Sequence, residues 1–261
     1  MRAIIPAAGH GTRFLPVTRV VPKEMLPIGS RPALELIVEE AKSAGADEIV
    51  LVISHEKELI REYFKDDPAI RFVYQEEQKG LGHAVLMGEG VKGERVKGTD
   101  EKVLILLGDC LVAGCNAAKE MAAVSAANGG ASVIGLERVP VEKVSRYGIV
   151  KVCDVDEGVD ATGCGAAGRI VDMVEKPAPE EAPSDLAIAG RYLLDVRIFD
   201  YLKTQTPGRG GEIQLTDAIR RMITLGHQPQ TLIGYVYPGK RQDIGNPKGY
   251  FEALKQMGAN E

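Results

Sequence analysis

The sequence predicts an α/β fold in which a mostly parallel sheet is sandwiched between helices. In the first half of the chain, apolar runs alternate with amphipathic helical stretches, a rhythm typical of parallel strands covered on both faces. From Ser145 onward, three strand-like runs follow one another without helices, which indicates a β insertion. A length of 261 residues suits one α/β domain, so a single domain, 1–261, is predicted.

The elements of the first half follow from apolar periodicity and from end signals. Short, nearly continuous apolar runs predict buried strands at residues 3–6, 48–54, 70–74, 102–107 and 131–139. Amphipathic stretches predict helices at residues 32–44, 57–64, 82–91 and 117–128. In the first of these helices, Leu34, Ile37 and Val38 share one face, and Gly45 suits its end.

The second half begins with the β insertion, residues 145–195. Its strands are predicted at residues 147–155, 169–176 and 186–194, and the glycine-rich linker 156–168 joins the first two as a hairpin with a loose tip. We expect the insertion to lie over the sheet rather than to form a separate domain. The C-terminal part, residues 196–261, is expected to be mainly helical. Its elements are predicted as helices at 198–204 and 212–225, a strand at 230–236 and a terminal helix from Pro247.

Composition and charge narrow the function classes. A net charge of −5 argues against a general nucleic-acid-binding surface. The four cysteines, without a Cys-x-x-Cys pair, are typical of reduced thiols in a cytosolic protein rather than of a disulfide framework or a zinc site. The sequence has neither a signal-peptide pattern nor an apolar run that approaches a membrane span. We therefore expect a cytoplasmic protein whose partners are neither nucleic acids nor membranes.

The stretch that follows the first strand holds the strongest functional pattern. Gly9 and Gly11 let the backbone turn and approach a ligand closely, and successive N–H groups of such a loop can bind anions. Arg13, Arg19 and Lys23 add the cations that a nucleotide triphosphate site needs. The loop lacks the third glycine of a dinucleotide fingerprint and the ending of a P-loop, so a plain turn with solvated basic residues is the alternative. The nucleotide site is favoured by prolines that space the basic residues along a rigid path, namely Pro6, Pro16, Pro22 and Pro27.

A second glycine-containing stretch, residues 75–85, has the features of a base-recognition loop. Gly80 and Gly82 would let the backbone approach a planar base, and the amide of Gln75 can both donate and accept hydrogen bonds. Uracil presents a carbonyl and an N–H side by side, which one amide can match. A helix-capping loop explains the same residues equally well, and His83 is interpreted as structural.

Asp109 and Asp243 are the candidate metal ligands. Asp109 ends an apolar strand, at the edge where open α/β sheets bind their ligands. Magnesium prefers oxygen ligands and is typically held by one or two carboxylates together with substrate phosphates. Asp243 is the natural second ligand, although a capping role before the Pro247 helix is an alternative. The sequence therefore predicts a Mg²⁺ site.

Tyr147, Gly148, Glu175, Lys176 and Gly190 are the candidates for binding a sugar phosphate. A sugar needs a carboxylate and backbone groups for its hydroxyls, and a phosphate needs a cation. Glu175 and Lys176 would point to opposite faces of a regular strand, but the proline that follows indicates that the strand is ending. A solvated ion pair is the alternative.

The pattern in residues 4–27, Ala-Ala-Gly-x-Gly-Thr-Arg-x-x-Pro-x-Thr-x-x-x-Pro-Lys-Glu-x-Leu-Pro, resembles the signature of the sugar-1-phosphate nucleotidylyltransferases. Within this family the chain is most similar to bacterial uridylyltransferases, and the resemblance covers nearly its whole length. The resemblance implies a Rossmann-like nucleotide-diphospho-sugar transferase fold, with 145–195 forming the sugar-phosphate side. The implied reaction transfers UMP from UTP to glucose 1-phosphate and gives UDP-glucose and pyrophosphate.

The resemblance also implies a role for each candidate residue. Arg13 would hold the leaving pyrophosphate, Lys23 the α-phosphate and Lys176 the attacking sugar phosphate, while Asp109 and Asp243 would bind Mg²⁺. The nucleotide would be bound by Ala7, Ala8, Gly9, Gly11, Thr12, Gln75, Gly80 and Gly82. The sugar would be bound by the backbone of Tyr147 and Gly148, by Glu175 and by Gly190.

Two alternatives stay open on the sequence. Leu107-Gly108-Asp109 is more similar to the related thymidylyltransferases than to the usual Leu-Pro-Asp of uridylyltransferases, so dTTP is an alternative nucleotide. A non-catalytic nucleotide-sugar sensor is the second, although a sensor has little need for the full set of charges. The chain is short between residues 64 and 75 and ends soon after residue 258, regions that often form subunit contacts in the family. We expect a homo-oligomer.

Overall fold

A computed structural model describes residues 1–90, 101–153, 164–225 and 231–257 of the chain. In chain order, its strands are β1 (Arg2–Pro6), β2 (Pro27–Ile28), β3 (Arg31–Pro32), β4 (Glu48–Ile53), β5 (Ile70–Tyr74), β6 (Lys102–Leu106), β7 (Cys110–Ala113), β8 (Ser132–Arg138), β9 (Gly148–Cys153), β10 (Gly165–Glu175), β11 (Leu186–Asp195), β12 (Leu232–Val236) and β13 (Lys240–Asp243). Its α-helices are α1 (Ala33–Ser43), α2 (Glu58–Phe64), α3 (Leu81–Met87), α4 (Ala117–Ala127), α5 (Ile198–Lys203), α6 (Leu215–Thr224) and α7 (Pro247–Met257). Within these ranges, none of the helices has the length and apolar character needed to cross a bilayer.

Nine of the strands form one mixed sheet, in the order β5, β4, β1, β6, β11, β8, β12, β10 and β9. β5, β4, β1 and β6 run parallel to one another, as strands joined by crossover connections do. β11 lies antiparallel between β6 and β8, near the middle of the sheet. The remaining strands form two small antiparallel pairs, β2 with β3 and β7 with β13. The predicted α/β fold with a mixed sheet is confirmed.

The core lies in two layers, one on each face of the sheet. Side chains of a strand alternate between faces, and neighbouring residues of β1 accordingly enter different layers. Ile5 packs in the layer that contains Leu34 and Ile37 of α1, whereas Ile4 belongs to the layer that contains Ile219 of α6. The apolar stripe predicted within 212–225 is buried, namely Leu215, Ala218, Ile219, Met222 and Ile223.

The β insertion is placed differently from the prediction. β9 and β10 form an antiparallel hairpin, as expected. The expectation that the insertion lies over the sheet is wrong, because β10 pairs with β12 and both hairpin strands extend the same sheet. Pairing in one sheet satisfies backbone groups that would otherwise remain at an exposed edge. Residues 156–163 of the predicted linker lie outside the described residues.

Two helix boundaries also differ from the prediction. The helix predicted at 212–225 begins only at Leu215, since Glu212 is extended (φ −101°, ψ 152°) and the Ile213 N–H donates to the Lys79 carbonyl at 2.7 Å. The helix predicted at 82–91 ends as an α-helix at Met87. Its last predicted residue lies outside the described ranges, as do the ends of the predicted strands 147–155 and 230–236.

Candidate active site

An open cleft of about 330 Å³ lies beyond the carboxyl ends of β1 and β6, where the sequence places the candidate residues. Both predicted sides contribute to its walls. The predicted site residues that line it are Arg13, Asp109, Tyr147, Gly148, Glu175, Lys176, Gly190 and Asp243. The other predicted residues are not part of this lining, namely Ala7, Ala8, Gly9, Gly11, Thr12, Lys23, Gln75, Gly80 and Gly82.

The two candidate metal ligands are brought together by β7 and β13. These strands pair antiparallel with Asp243 opposite Cys110, and the Ile244 N–H donates to the Asp109 carbonyl at 3.0 Å. Oxygens of both carboxylates lie about 3 Å from the point that a side-chain carbon at Gly245 would occupy. The sequence interpretation missed both strands, so the pairing of these aspartates in space comes from the structure.

This carboxylate pair has the chemistry of a divalent cation site that a substrate completes. Two carboxylates supply the oxygen ligands that Mg²⁺ prefers, and phosphate oxygens commonly supply others. Within the described ranges there is no cluster of three or more His, Cys, Asp or Glu side chains that could hold a metal alone. The alternative role of Asp243 is also visible, because it accepts from the Gly245 N–H at 2.9 Å, yet the helix-capping contact to Gly249 is made by Asn246.

Lys23 joins the nucleotide loop to the carboxylate pair. Its Nζ donates to Asp109 Oδ2 at 2.5 Å and lies 3.9 Å from Glu24. Burial lowers the pKa of Lys23, but the charges of Asp109 and Glu24 outweigh this effect and leave the pKa raised. Burial raises the pKa of Asp109, but Lys23 outweighs it and leaves that pKa lowered. At neutral pH, an ammonium and a carboxylate therefore face each other here.

A buried ion pair lies behind the nucleotide loop, and the sequence interpretation assigned it no role. Lys57 Nζ donates to both carboxylate oxygens of Glu24, at 2.9 and 2.8 Å, and to the Ala7 carbonyl at 2.6 Å. Burial raises the pKa of Glu24 and lowers that of Lys57, and each charge counteracts the effect on the other. Lys57, Glu24, Lys23 and Asp109 thus form a row of alternating charges that runs from the loop backbone to the candidate metal site.

The end of β1, where the glycine loop begins, packs closely against the turn between β6 and β7 that carries Asp109. The Gly108 N–H donates to the Pro6 carbonyl at 3.2 Å, and a side-chain carbon at Gly108 would lie 2.7 Å from that oxygen. Gly11 has a left-handed backbone (φ 65°), and its carbonyl accepts from the Thr18 hydroxyl at 2.9 Å. A larger residue at position 108 would therefore clash with the Pro6 carbonyl, which explains the glycine by packing.

The predicted base-recognition loop is held by protein contacts. The Gln75 amide lies 2.9 Å from His83 Nδ1, and Gln75 is almost fully buried. The Gly82 N–H donates to the Ile213 carbonyl at 2.8 Å, and side-chain carbons at Gly80 and Gly82 would lie 2.7 Å from residues 212 and 213, respectively. In the structure, residues 212–213 are therefore the groups that approach Gly80 and Gly82 closely. Approach to a base at the same positions stays a prediction.

On the sugar side of the cleft, Glu175 and Lys176 both reach the cleft, although adjacent residues of a regular strand point to opposite faces. β10 ends at Glu175, and Lys176 has a left-handed backbone (φ 48°), so both side chains line the cleft and lie 3.2 Å apart. Thr216 Oγ1 donates to Glu175 Oε2 at 2.7 Å, a contact that the sequence did not indicate. Gly190 also has positive φ (77°), at the point where the pairing of β11 shifts register.

Two further cations line the cleft, Arg146 and Arg241, to which the sequence alone assigned no role. Arg241 lies over the ring of Tyr147, with 4.4 Å from its guanidinium carbon to the ring centre. Its ion pair is with Glu137, at 2.5 Å. Arg241 lies two residues before Asp243, and residues two apart on a strand share a face. This spacing would have pointed to Arg241 if the sequence had shown that the segment is a strand.

Known proteins match the chain over nearly its full length. A family model described as nucleotidyl transferase matches residues 2–260. UTP–glucose-1-phosphate uridylyltransferase 2 of Staphylococcus saprophyticus is 38% identical over 274 residues, which cover 95% of this chain and 89% of that relative. A UDP-glucose pyrophosphorylase solved with UDP-glucose has a TM-score of 0.85 and 35% identity, covering 100% of this chain and 99% of that one. A UTP-bound UGPase from Acinetobacter baumannii has a TM-score of 0.78 and 30% identity, covering 99% and 96%.

Proposed function

The chain belongs to the nucleotidyl transferase family, and we propose that it transfers UMP from UTP to glucose 1-phosphate, giving UDP-glucose and pyrophosphate. One observation carries this proposal. A single cleft brings the Asp109 and Asp243 carboxylates of one wall together with Glu175 and Lys176 of the other. One wall of this cleft thus offers carboxylates for a metal-bound nucleotide, and the other offers a carboxylate and a lysine for a sugar phosphate. Relatives with these substrates in their names match nearly the whole chain.

The proposed chemistry needs charge neutralisation more than it needs a protein nucleophile. A sugar-phosphate oxygen attacks the α-phosphorus of UTP, and the bond to pyrophosphate breaks. Both reactants are polyanions, so we assign Arg13 to the leaving pyrophosphate, Lys23 to the α-phosphate and Lys176 to the attacking phosphate. The attacking oxygen is already anionic, so no general base is required. Positioning the two reactants can supply about 7–11 kcal/mol, and fixed cations stabilise the charge that develops.

The proposal includes Mg²⁺ as the cofactor. Members of this family generally use a divalent metal ion. Asp109 and Asp243 fit such an ion, because their oxygens converge beside Gly245, where a bulkier residue would intrude. When bound, the ion would neutralise phosphate charge in the cleft. Lys23 lies against Asp109, so it orients that carboxylate on the nucleotide side.

Pyrophosphate release tests the proposal directly. We expect turnover with glucose 1-phosphate and UTP in the presence of Mg²⁺, and strong loss of turnover when the metal is chelated. Parallel assays with dTTP, CTP and ATP test the base. A clear preference for another nucleotide would contradict the assignment of UTP, and the absence of turnover with any nucleotide would favour the sensor.

The thymidylyltransferase remains the nearest alternative, because uracil and thymine differ by one methyl group, worth only about 1–3 kcal/mol in a pocket. The glycine at position 108, which raised this alternative, has a packing role, because a side-chain carbon there would lie 2.7 Å from the Pro6 carbonyl oxygen. UTP is favoured by the names of the relatives. A cytoplasmic homo-oligomer stays a prediction from the sequence.

A further inference from the structure

Arg241 borders both halves of the cleft. It lines the cleft with Tyr147 and Lys176 of the sugar side and with Asp243 of the carboxylate pair. Arg241 and Asp243 lie two residues apart on β13, so their side chains share a face of that strand. The Arg241 side chain is only 14% exposed, so its charge is largely withdrawn from water although it reaches the cleft.

Two contacts fix the guanidinium of Arg241. It stacks over the Tyr147 ring at 4.4 Å, and it pairs with Glu137, at the end of β8, at 2.5 Å. A guanidinium carries five N–H donors in a planar fork, more than one carboxylate oxygen and one ring can occupy. Donors therefore remain for a ligand on the cleft side.

In the part of the chain that the structure describes, the ion pair between Arg241 and Glu137 leaves the carboxylates of Asp109 and Asp243 without an ion pair to this guanidinium. Among the described residues, the ion pair of Arg241 is with Glu137 and not with Asp243, although Asp243 is two residues away on the same face. An unrestrained arginine at this place would be drawn to the Asp243 or Asp109 carboxylate and would compete with a cation there. The ion pair with Glu137 instead directs the guanidinium towards a carboxylate outside the candidate metal site.

We infer that Arg241 binds the phosphate of the attacking sugar phosphate together with Lys176, and that Glu137 positions Arg241 away from the metal-binding carboxylates. The inference rests on the proposed function, since it concerns the second substrate of that reaction. A planar guanidinium can bind a phosphate through two parallel hydrogen bonds, whereas the lysine acts as a point charge. Stacking on Tyr147 ties this phosphate contact to the residue predicted to border the sugar.

Steady-state kinetics on three variants test the inference. Arg241→Lys keeps the charge but loses the planar fork and the stacking. The double variant Arg241→Gln with Glu137→Gln removes both charges, so no buried charge is left unpaired. We expect each to raise the KM for glucose 1-phosphate about 10- to 100-fold, the range for loss of a charged hydrogen bond, while the KM for UTP changes less than about twofold. The third variant, Glu137→Gln, should raise the Mg²⁺ concentration needed for half-maximal activity, and calorimetry should show that Mg²⁺ binds this variant more weakly than it binds the wild type.

Arg138→Gln is the matched control, because Arg138 is the next residue on β8 but is exposed and pairs with Asp185. It should leave both KM values and the Mg²⁺ midpoint unchanged. Equal shifts in the KM of both substrates, or no shift for glucose 1-phosphate, would overturn the phosphate-binding role. An unchanged Mg²⁺ midpoint in Glu137→Gln would overturn the positioning role.

Failure of the proposed function is recognised separately, because the wild-type protein would then release no pyrophosphate. In that event, calorimetric binding of glucose 1-phosphate to wild type and to Arg241→Lys decides the inference. Weaker binding to the variant supports the inference. Equal binding, or no binding to either protein, overturns it.

Discussion

Behind the nucleotide loop the ion pair of Lys57 with Glu24 is buried, whereas on the sugar side the cation Lys176 reaches solvent. Lys57 and Glu24 are at most 5% exposed, and Lys57 is tied to the loop backbone through Ala7. The Lys176 side chain is 43% exposed and stands on a left-handed backbone where β10 ends. A buried charge that loses its partner is strongly destabilising, while a half-exposed charge contributes little to stability. We therefore expect substitutions to act on folding at one side and on substrate affinity at the other.

The strongest test of this difference is Lys57→Met. It leaves the Glu24 carboxylate buried without its partner, so the free energy of unfolding should fall by about 3–5 kcal/mol. Urea denaturation followed by circular dichroism measures the change. Lys65→Met, which removes a lysine from the exposed pair with Glu62, is the matched control and should leave the urea midpoint unchanged.

A double variant separates the charge effect from packing. Glu24→Leu combined with Lys57→Met leaves no unpaired charge and should recover much of the lost stability. A urea midpoint for Lys57→Met equal to that of the wild type would mean that the buried pair does not stabilise the loop.

The next effect concerns turnover rather than folding. Asp109→Asn should lower kcat about 10²–10³-fold, by analogy with the removal of one charge-stabilising group, while the protein stays folded. Pyrophosphate release and a thermal melt, measured on the same preparation, test both halves of this expectation. Asp185→Asn, at an exposed carboxylate that pairs with Arg138, should be fully active. Near-normal turnover of Asp109→Asn would remove Asp109 from the metal site.

On the sugar side, Lys176→Ala should act chiefly on the second substrate. Because its side chain is partly exposed, we expect the urea midpoint to change little and the KM for glucose 1-phosphate to rise about tenfold or more. The KM for UTP should stay close to its wild-type value. Lys151→Ala, at an exposed position on β9, serves as the control. A rise in the KM for UTP of the same size would contradict the division of the cleft into two sides.

The smallest effect is a difference in the sign of the pH dependence of stability. Burial raises the pKa of Asp109 but Lys23 outweighs it, so the folded pKa is below the unfolded value of about 3.9. Its contribution is present above that value and is lost as pH falls through the folded pKa. Burial and then Glu175 raise the pKa of Asp217, beside the sugar wall. Its contribution is present below about pH 3.9 and is lost as pH rises through the raised folded pKa.

Unfolding free energies of the Asn variants, measured between pH 3 and pH 7, test these signs. Relative to wild type, Asp109→Asn should lose more stability at pH 7 than at pH 3. The free energy of unfolding of Asp217→Asn, relative to that of the wild type, should be higher at pH 7 than at pH 3. Parallel curves for the two variants would contradict the assigned shifts.

The sequence predicts the strands of the large sheet well, because β1, β4 and β6 are short apolar runs whose period is unmistakable. It fails at β13, Lys-Arg-Gln-Asp, since a polar four-residue strand has no apolar pattern and forms only because β7 lies beside it. For the same reason, Arg241 could not be placed in the cleft. The sequence shows which charges exist, but their pairing depends on contacts between residues far apart in the chain.

The same limit explains the buried ion pair. Glu24 is visible within the signature, but nothing local indicates that Lys57, at the start of a predicted helix, is its partner. The insertion shows the reverse case. Its three strands are predicted, although β10 begins at Gly165, within the predicted linker. Strand periodicity does not say which sheet a strand joins, and here β10 joins β12.

The position of β11 also bears on how the protein is made. β6 ends at Leu106, but the strand that covers its open edge begins only at Leu186. At about 5–20 residues per second, a ribosome needs roughly 4–16 seconds to synthesise the intervening chain. During that interval the parallel half of the sheet has an uncovered apolar edge, which is a template for pairing with other chains. Aggregation during synthesis should therefore be most pronounced for nascent chains arrested before β11 has emerged.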